Sequence, residues 1–221
     1  MKGLMIKDLL LVKNQGHTVL LFLFCGVIMG FSMDPELAVG YMAMLGALLS
    51  LGTLSYDEYE GGYAYLFSLP VTRKMYVRAK YLFCVGSTLI GSLTGVVISL
   101  IVSIARGQMA AIDIPELMIA GLMSLCAIGV IMVGIMIPAR LKYGNEKSRL
   151  VLFVIFGIIV VIIFAVTKSD SFMPAGLAEK MAAFARFMNS TAGLIAGVIA
   201  MIILLLISEQ AAERIMEKKE Y

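Results

Sequence analysis

Six runs of this chain carry no Asp, Glu, Lys, Arg or His: residues 18–33, 37–55, 82–105, 117–137, 150–167 and 191–208. No other feature narrows the fold so far. In a bilayer every backbone N–H and C=O must be satisfied within the protein, which leaves only helices and closed barrels. Runs this long are helices, since one crossing takes about 20 apolar residues. The first is short and extends back through His17, Gly16 and Gln15 toward the headgroups. Asp34-Pro35-Glu36 leaves room only for a tight turn, so the first two runs form an antiparallel hairpin. Composition agrees: the chain is 61% hydrophobic with mean hydropathy +0.96 and 15% charged residues, against about a quarter charged in a soluble domain. Cys25, Cys84 and Cys126 all fall inside apolar runs, as packing residues do, and suggest neither a disulfide nor a metal site. The expectation is an all-α integral membrane protein of six transmembrane helices, one domain over residues 1–221.

Lys and Arg orient it. With the N-terminus inside, the outer segments hold only Arg106, Lys168, Lys180 and Arg186, and all the others of the 18 lie on the inner side. The positive-inside rule therefore places both termini in the cytoplasm.

The N-terminus is not a signal peptide, because Lys7 and Asp8 interrupt the apolar stretch 4–12 and no small-residue cleavage site follows. Lys7, Asp8, Asn14 and Gln15 share one helical face, which predicts an interfacial helix on the inner leaflet, either a plain anchor or a mechanical elbow. Between the fifth and sixth runs, Leu177, Met181, Phe184 and Met188 form an apolar stripe, with Glu179, Lys180 and Arg186 off it. This predicts an amphipathic helix on the outer side, a simple surface connection or an outer gate.

The insert between the second and third runs, YDEYEGGYAYLFSLPVTRKMYVRAK, is far longer than a connection requires. Tyr56, Tyr59, Tyr63 and Leu66 step along one helical face, and Asp57, Gly61, Ala64 and Ser68 along the opposite one, flanked by Glu58 and Glu60. An anionic inner leaflet repels such acids, so segment 56–69 fits a basic protein partner better than a lipid surface. Gly61-Gly62 permits close backbone approach, and Pro70 ends the helix. Arg73, Lys74, Arg78 and Lys80 then mark the inner edge of the third run.

These residues bear a family likeness. The acidic-Gly helix, followed by SLPVTR at 68–73 and YVRAKY at 76–81, resembles the ABC-2 type permeases, the membrane subunits of ATP-driven exporters. The segment PARLKYGNEKSR at 138–149 and the opening MKGLMIKDLLLVKNQ are similar to the corresponding stretches of small bacterial members. The resemblance implies that 56–69 contains a coupling helix seated in a cleft of an ATPase subunit, through Asp57, Glu58, Glu60, Gly61, Gly62, Tyr63 and Leu66. It implies a secondary cytoplasmic contact through Lys7, Asp8, Arg140, Lys142 and Glu146. It further implies a bacterial cell-membrane protein paired with itself or a sister chain around a central cavity. The nearest likeness is to exporters of small amphipathic peptides such as phenol-soluble modulins; related systems protect against bacteriocin-like peptides.

No GxxxxGK[ST] motif is present to cradle nucleotide phosphates. The chain is therefore expected to be no enzyme and to carry no cofactor, with ATP and Mg on the partner. The uncharged spans argue against an ion-coupled carrier or channel, and His17 sits at a span edge. Thr88, Ser92, Gly95, Ser99 and Ser103 make a small-polar stripe. Gly26 with Gly30, Gly91 with Gly95, and Gly193 with Gly197 are small-xxx-small pairs. Such features serve close helix packing above all, with a dimer or cavity role for Gly26, Gly30, Ser92 and Gly95 as the sharper reading. The 17 methionines suit an adaptable apolar surface. The expected cargo is an amphipathic or apolar peptide, with no nucleic-acid partner; the alternative is a non-transporting immunity or sequestration protein for toxic peptides.

Overall fold

The structure is a computed structural model that describes residues 2–32, 34–59, 62–68, 70–107, 114–167 and 190–218. Glu60, Gly61 and the expected outer helix with Leu177, Met181, Phe184 and Met188 lie outside the described residues. The elements in chain order are α1 (Lys2–Asn14), α2 (Gly16–Ser32), α3 (Pro35–Glu58), α4 (Gly62–Ser68), α5 (Arg73–Ala105), α6 (Ile114–Ile128), a π-helical segment (Gly129–Ile135) and α7 (Met136–Thr167). The last is α8 (Thr191–Glu217). Among the described residues there is no strand, and the described part of each of the six apolar runs is helical.

Among the described residues four stretches are long and apolar enough to cross a membrane: Leu37–Glu58, Arg73–Ala105, Ile114–Ser148 and Ala192–Glu217. A fifth appears if α1 and α2, bent by 69° at their junction, count as one span. The helices outrun the apolar runs at the end rich in Lys and Arg. α5 has 33 residues, a rod of about 50 Å against a hydrocarbon core of about 30 Å. Its first turns, with Arg73, Lys74 and Arg78, therefore stand clear of the apolar layer. Thr72 caps this start, its hydroxyl accepting from the Met75 N–H at 3.3 Å.

α3 and α5 make the most extensive helix pair and occupy the centre. Their axes approach closely because of glycine. A Cβ added at Gly95 would lie 2.8 Å from Val39 Cα, and one at Gly91 would lie 3.2 Å from Ala43 Cα. Gly26 seats α2 against the Met42 side chain of α3 and Ile98 of α5, and Gly30 seats it against Val102 of α5. Ser92 donates to the Gly121 carbonyl of α6 at 3.0 Å, and Ser99 to the Pro35 carbonyl of α3 at 2.9 Å. Gly26, Gly30, Ser92 and Gly95 thus hold together helices of one chain. Thr88 and Ser103 bond back to Cys84 and Ser99 on their own helix.

The insert departs from its expected shape. It is not one helix over 56–69: α3 continues through Glu58, and a separate short α4 begins at Gly62. The Tyr56–Tyr59–Tyr63–Leu66 face is therefore split. Tyr63 and Leu66 are buried, whereas Tyr56, Tyr59 and Tyr65 are exposed. The helix does end at Ser68, ahead of Pro70.

Candidate functional site

Behind α4 lies a buried charge cluster. Lys80, on the first turns of α5, is 1% exposed. Its ammonium sits 2.7 Å from Asp8 Oδ1 of α1, 2.7 Å from Asp57 Oδ2 of α3 and 3.0 Å from the Thr53 hydroxyl. Tyr76, one helical turn earlier, donates its hydroxyl to Asp57 Oδ2 at 2.9 Å. Lys7 closes the other side, bonded to Asp57 Oδ1 and 3.5 Å from Asp8. A buried charge is tolerated only with partners at such distances. The cluster consequently ties α1, α3 and α5 together at one end of the bundle. The polar face of α1 turns inward there: Asp8 is fully buried rather than facing headgroups. Asp57 likewise faces inward and not a partner's surface.

A second linkage joins the end of α3 to α7. Residue Gly144 has φ +78° and breaks α7 into two rods. Glu58 Oε2 accepts from the Asn145 N–H at 2.8 Å, satisfying a donor left open where the helix restarts. Ser55 donates to Asn145 Oδ1 at 3.1 Å. Arg140 donates to the Leu51 carbonyl at 2.6 Å and to the Ser55 hydroxyl at 3.0 Å. Lys142 and Glu146, on either side of the break, are exposed. Replacing Gly144 by Ala should cost about 1–3 kcal/mol, because left-handed backbone strains any Cβ. That Cβ would also meet Glu58 Oε1 at 2.6 Å. A lowered melting temperature for Gly144→Ala, and none for Ala substituted at the open position Gly52, checks this.

A sequence model of the family described as ABC-2 family transporter protein matches residues 3–217. The chain belongs to the ABC-2 transporter family. No curated protein and no solved structure matches it. Family membership makes it a multi-pass membrane permease of the ABC transporter class.

In this ABC-2 permease the start of α5 is also strapped to α8. Arg73 donates to the Met216 and Glu217 carbonyls at 3.1 and 2.8 Å, capping the C-terminus of α8. Arg78 pairs with Glu209 and Glu213 at 3.2 and 3.1 Å. Deeper in, Tyr81 shares a 2.6 Å bond with Ser208, which donates to the Gly134 carbonyl in the π-helical segment.

Short α4 is thus suspended between two fixed anchors, the end of α3 and the start of α5. Its inner face is pinned by Tyr63, whose ring meets that of Tyr76 edge-on at 5.9 Å. Its outer face shows Tyr65, 74% exposed, beside Tyr59 at 72% and Tyr56 at 55%. A groove of about 660 Å³ runs along it, lined by Tyr56, Tyr65, Gly62, Leu66, Pro70 and Lys7 among others.

Of the expected site residues, the structure gathers Lys7, Asp8 and Asp57 into one cluster and Glu58 with Arg140 into the other. Tyr63 and Leu66 lie between as packing anchors. Residues missed by sequence reasoning are Tyr76 and Lys80, which receive the acids, Thr53, which accepts from Lys80, and Glu209 and Glu213, which receive Arg78. One signal was present: Tyr76 and Lys80 share a helical face directly before an apolar run.

Proposed function

We propose that this chain is the membrane permease of an ATP-binding-cassette exporter of amphipathic or apolar peptides, driven by a separate ATPase subunit. The observation that carries the reading is the suspended α4, with its exposed tyrosines and its clamped inner face, at the end rich in Lys and Arg. Segment 56–69 is the coupling element. Tyr59, Gly62 and Tyr65 face the ATPase. Asp57 and Glu58 hold that surface from behind, and Tyr63 and Leu66 anchor it. Lys142 and Glu146 at the Gly144 break form the second contact.

A push on α4 has defined routes inward. The Asp57–Lys80–Asp8 cluster leads to α1 and α5, and Glu58–Asn145 leads to α7. α1 then acts as an elbow, with both termini in the cytoplasm, and two permease chains, identical or sister, enclose the transport cavity. ATP and Mg belong to the partner, since the chain has no phosphate-cradling loop. The largely apolar helix faces suit an apolar or amphipathic cargo.

Reconstituted vesicles containing the permease with its ATPase should release a fluorescent amphipathic peptide when ATP is supplied. A non-hydrolysable analogue should leave release at the background rate. Equal retention with and without ATP would remove the peptide-export reading.

A further inference from the structure

A second site lies away from α4, on the membrane-facing flank of the bundle. The 69° bend between α1 and α2 leaves a cavity of about 420 Å³ between these helices, α3 and α5. Its walls include Leu9, Val12, Phe22, Leu45, Phe83 and Gly86. At Leu9, Val12, Val19 and Leu23 it merges with an open stretch that reaches Lys13 and Gly16 at the bend. At Leu23, Ile90 and Thr94 it continues along α5 to Val97. The result is one narrow apolar groove with a basic mouth.

We propose that this groove holds an acyl chain of an anionic phospholipid, with the headgroup phosphate at Lys13. Three observations carry the assignment. First, Lys13 is the one charged residue among the described residues lining the groove. It is exposed, and among the described residues no acid pairs with it. An anionic headgroup complements it. Second, inside the mouth at Lys13 the described walls offer no free side-chain hydrogen-bond donor. The two hydroxyls present, Ser87 and Thr94, are bonded to the Cys84 and Gly91 carbonyls of their own helix at 3.0 and 2.8 Å. A peptide segment would bury backbone groups unsatisfied there, whereas a hydrocarbon chain has none. Third, Gly86 keeps the volume open: a Cβ built on it meets nothing within 4 Å. At Gly91, by contrast, an added Cβ would strike α3. Glycine at 86 serves the space beside it and not the packing of the helices.

The inference is independent of the ATPase and cargo reading. The full chain is reconstituted in bilayers of phosphatidylcholine doped with phosphatidylglycerol whose acyl chain carries a photoreactive group. Labelled peptides are then located by mass spectrometry. Label should concentrate at residues 9–23 and 83–94. Gly86→Phe, which occupies the space of a few methylenes, should lower that label about tenfold with an unchanged melting temperature. If the Phe variant does not fold, Gly86→Leu replaces it. Lys13→Glu should reduce label from phosphatidylglycerol while leaving label from a matching phosphatidylcholine probe in place. Undiminished labelling in a folded Gly86 variant overturns the proposal, as does equal labelling by both headgroups in the unmodified chain. So does cross-linking of these positions to a second copy, or to a photoreactive amphipathic peptide, in place of lipid.

Discussion

Lys80→Met should lower the stability of the folded permease by about 3–5 kcal/mol, the cost of leaving buried charge without its partner. Both side chains of the Lys80–Asp8 pair are nearly fully buried, 2% and 1% exposed. Removal of the ammonium leaves two carboxylates facing each other, with only partly exposed Lys7 and the Tyr76 hydroxyl to hold them. Among the described residues Asp8 Oδ2 has no hydrogen-bond partner, so the second oxygen offers no compensation. Thermal melts in detergent read the loss. A charge-free quadruple variant, Lys7→Met and Lys80→Met with Asp8→Asn and Asp57→Asn, should recover much of it, since it removes all four charges together. Lys74→Ala sets the scale at the surface. Its pair with Glu217 at 3.3 Å is about half exposed on both sides, and its loss should change stability by less than about 1 kcal/mol. A Lys80→Met chain as stable as Lys74→Ala would show that the cluster does not hold the bundle end together.

Much of the helical plan is legible in the residues, because uncharged runs in lipid have one solution and Gly91, Gly95 and Pro70 act where they stand. The insert is harder, and the reason is physical. Helical periodicity over 56–69 treats the segment as one rod. The backbone instead stops at Glu58 and restarts at Gly62, which turns Tyr63 and Leu66 inward while Tyr59 and Tyr65 stay out. The acids resemble a docking patch as long as their partners are unknown. Those partners are remote in sequence: Lys80 and Tyr76 for Asp57, and the Asn145 N–H for Glu58. Position along the chain says little about such pairings, which arise only when α1, α3, α5 and α7 converge. Asp8 shows the same effect, since its polar face suits headgroups on an isolated helix and an ammonium ion in the assembled bundle.

The exposed tyrosines give the second large effect. Tyr59→Ala combined with Tyr65→Ala should weaken binding of the ATPase subunit at least about thirtyfold, the equivalent of one strong interface residue. Tyrosine combines a large apolar ring with a polar tip and is enriched among dominant interface residues. Both side chains stand clear of the core, so the double variant should melt with the unmodified chain. Substitution at Asp57 cannot separate docking from folding, because Asp57 is built into the buried cluster. The decisive measurement is the amount of ATPase subunit retained when the Tyr59→Ala/Tyr65→Ala permease is purified from membranes, beside its melting curve. A folded permease stripped of its ATPase is the predicted result. A folded permease that keeps the ATPase at full stoichiometry would contradict the assignment of α4 and the end of α3 as its seat.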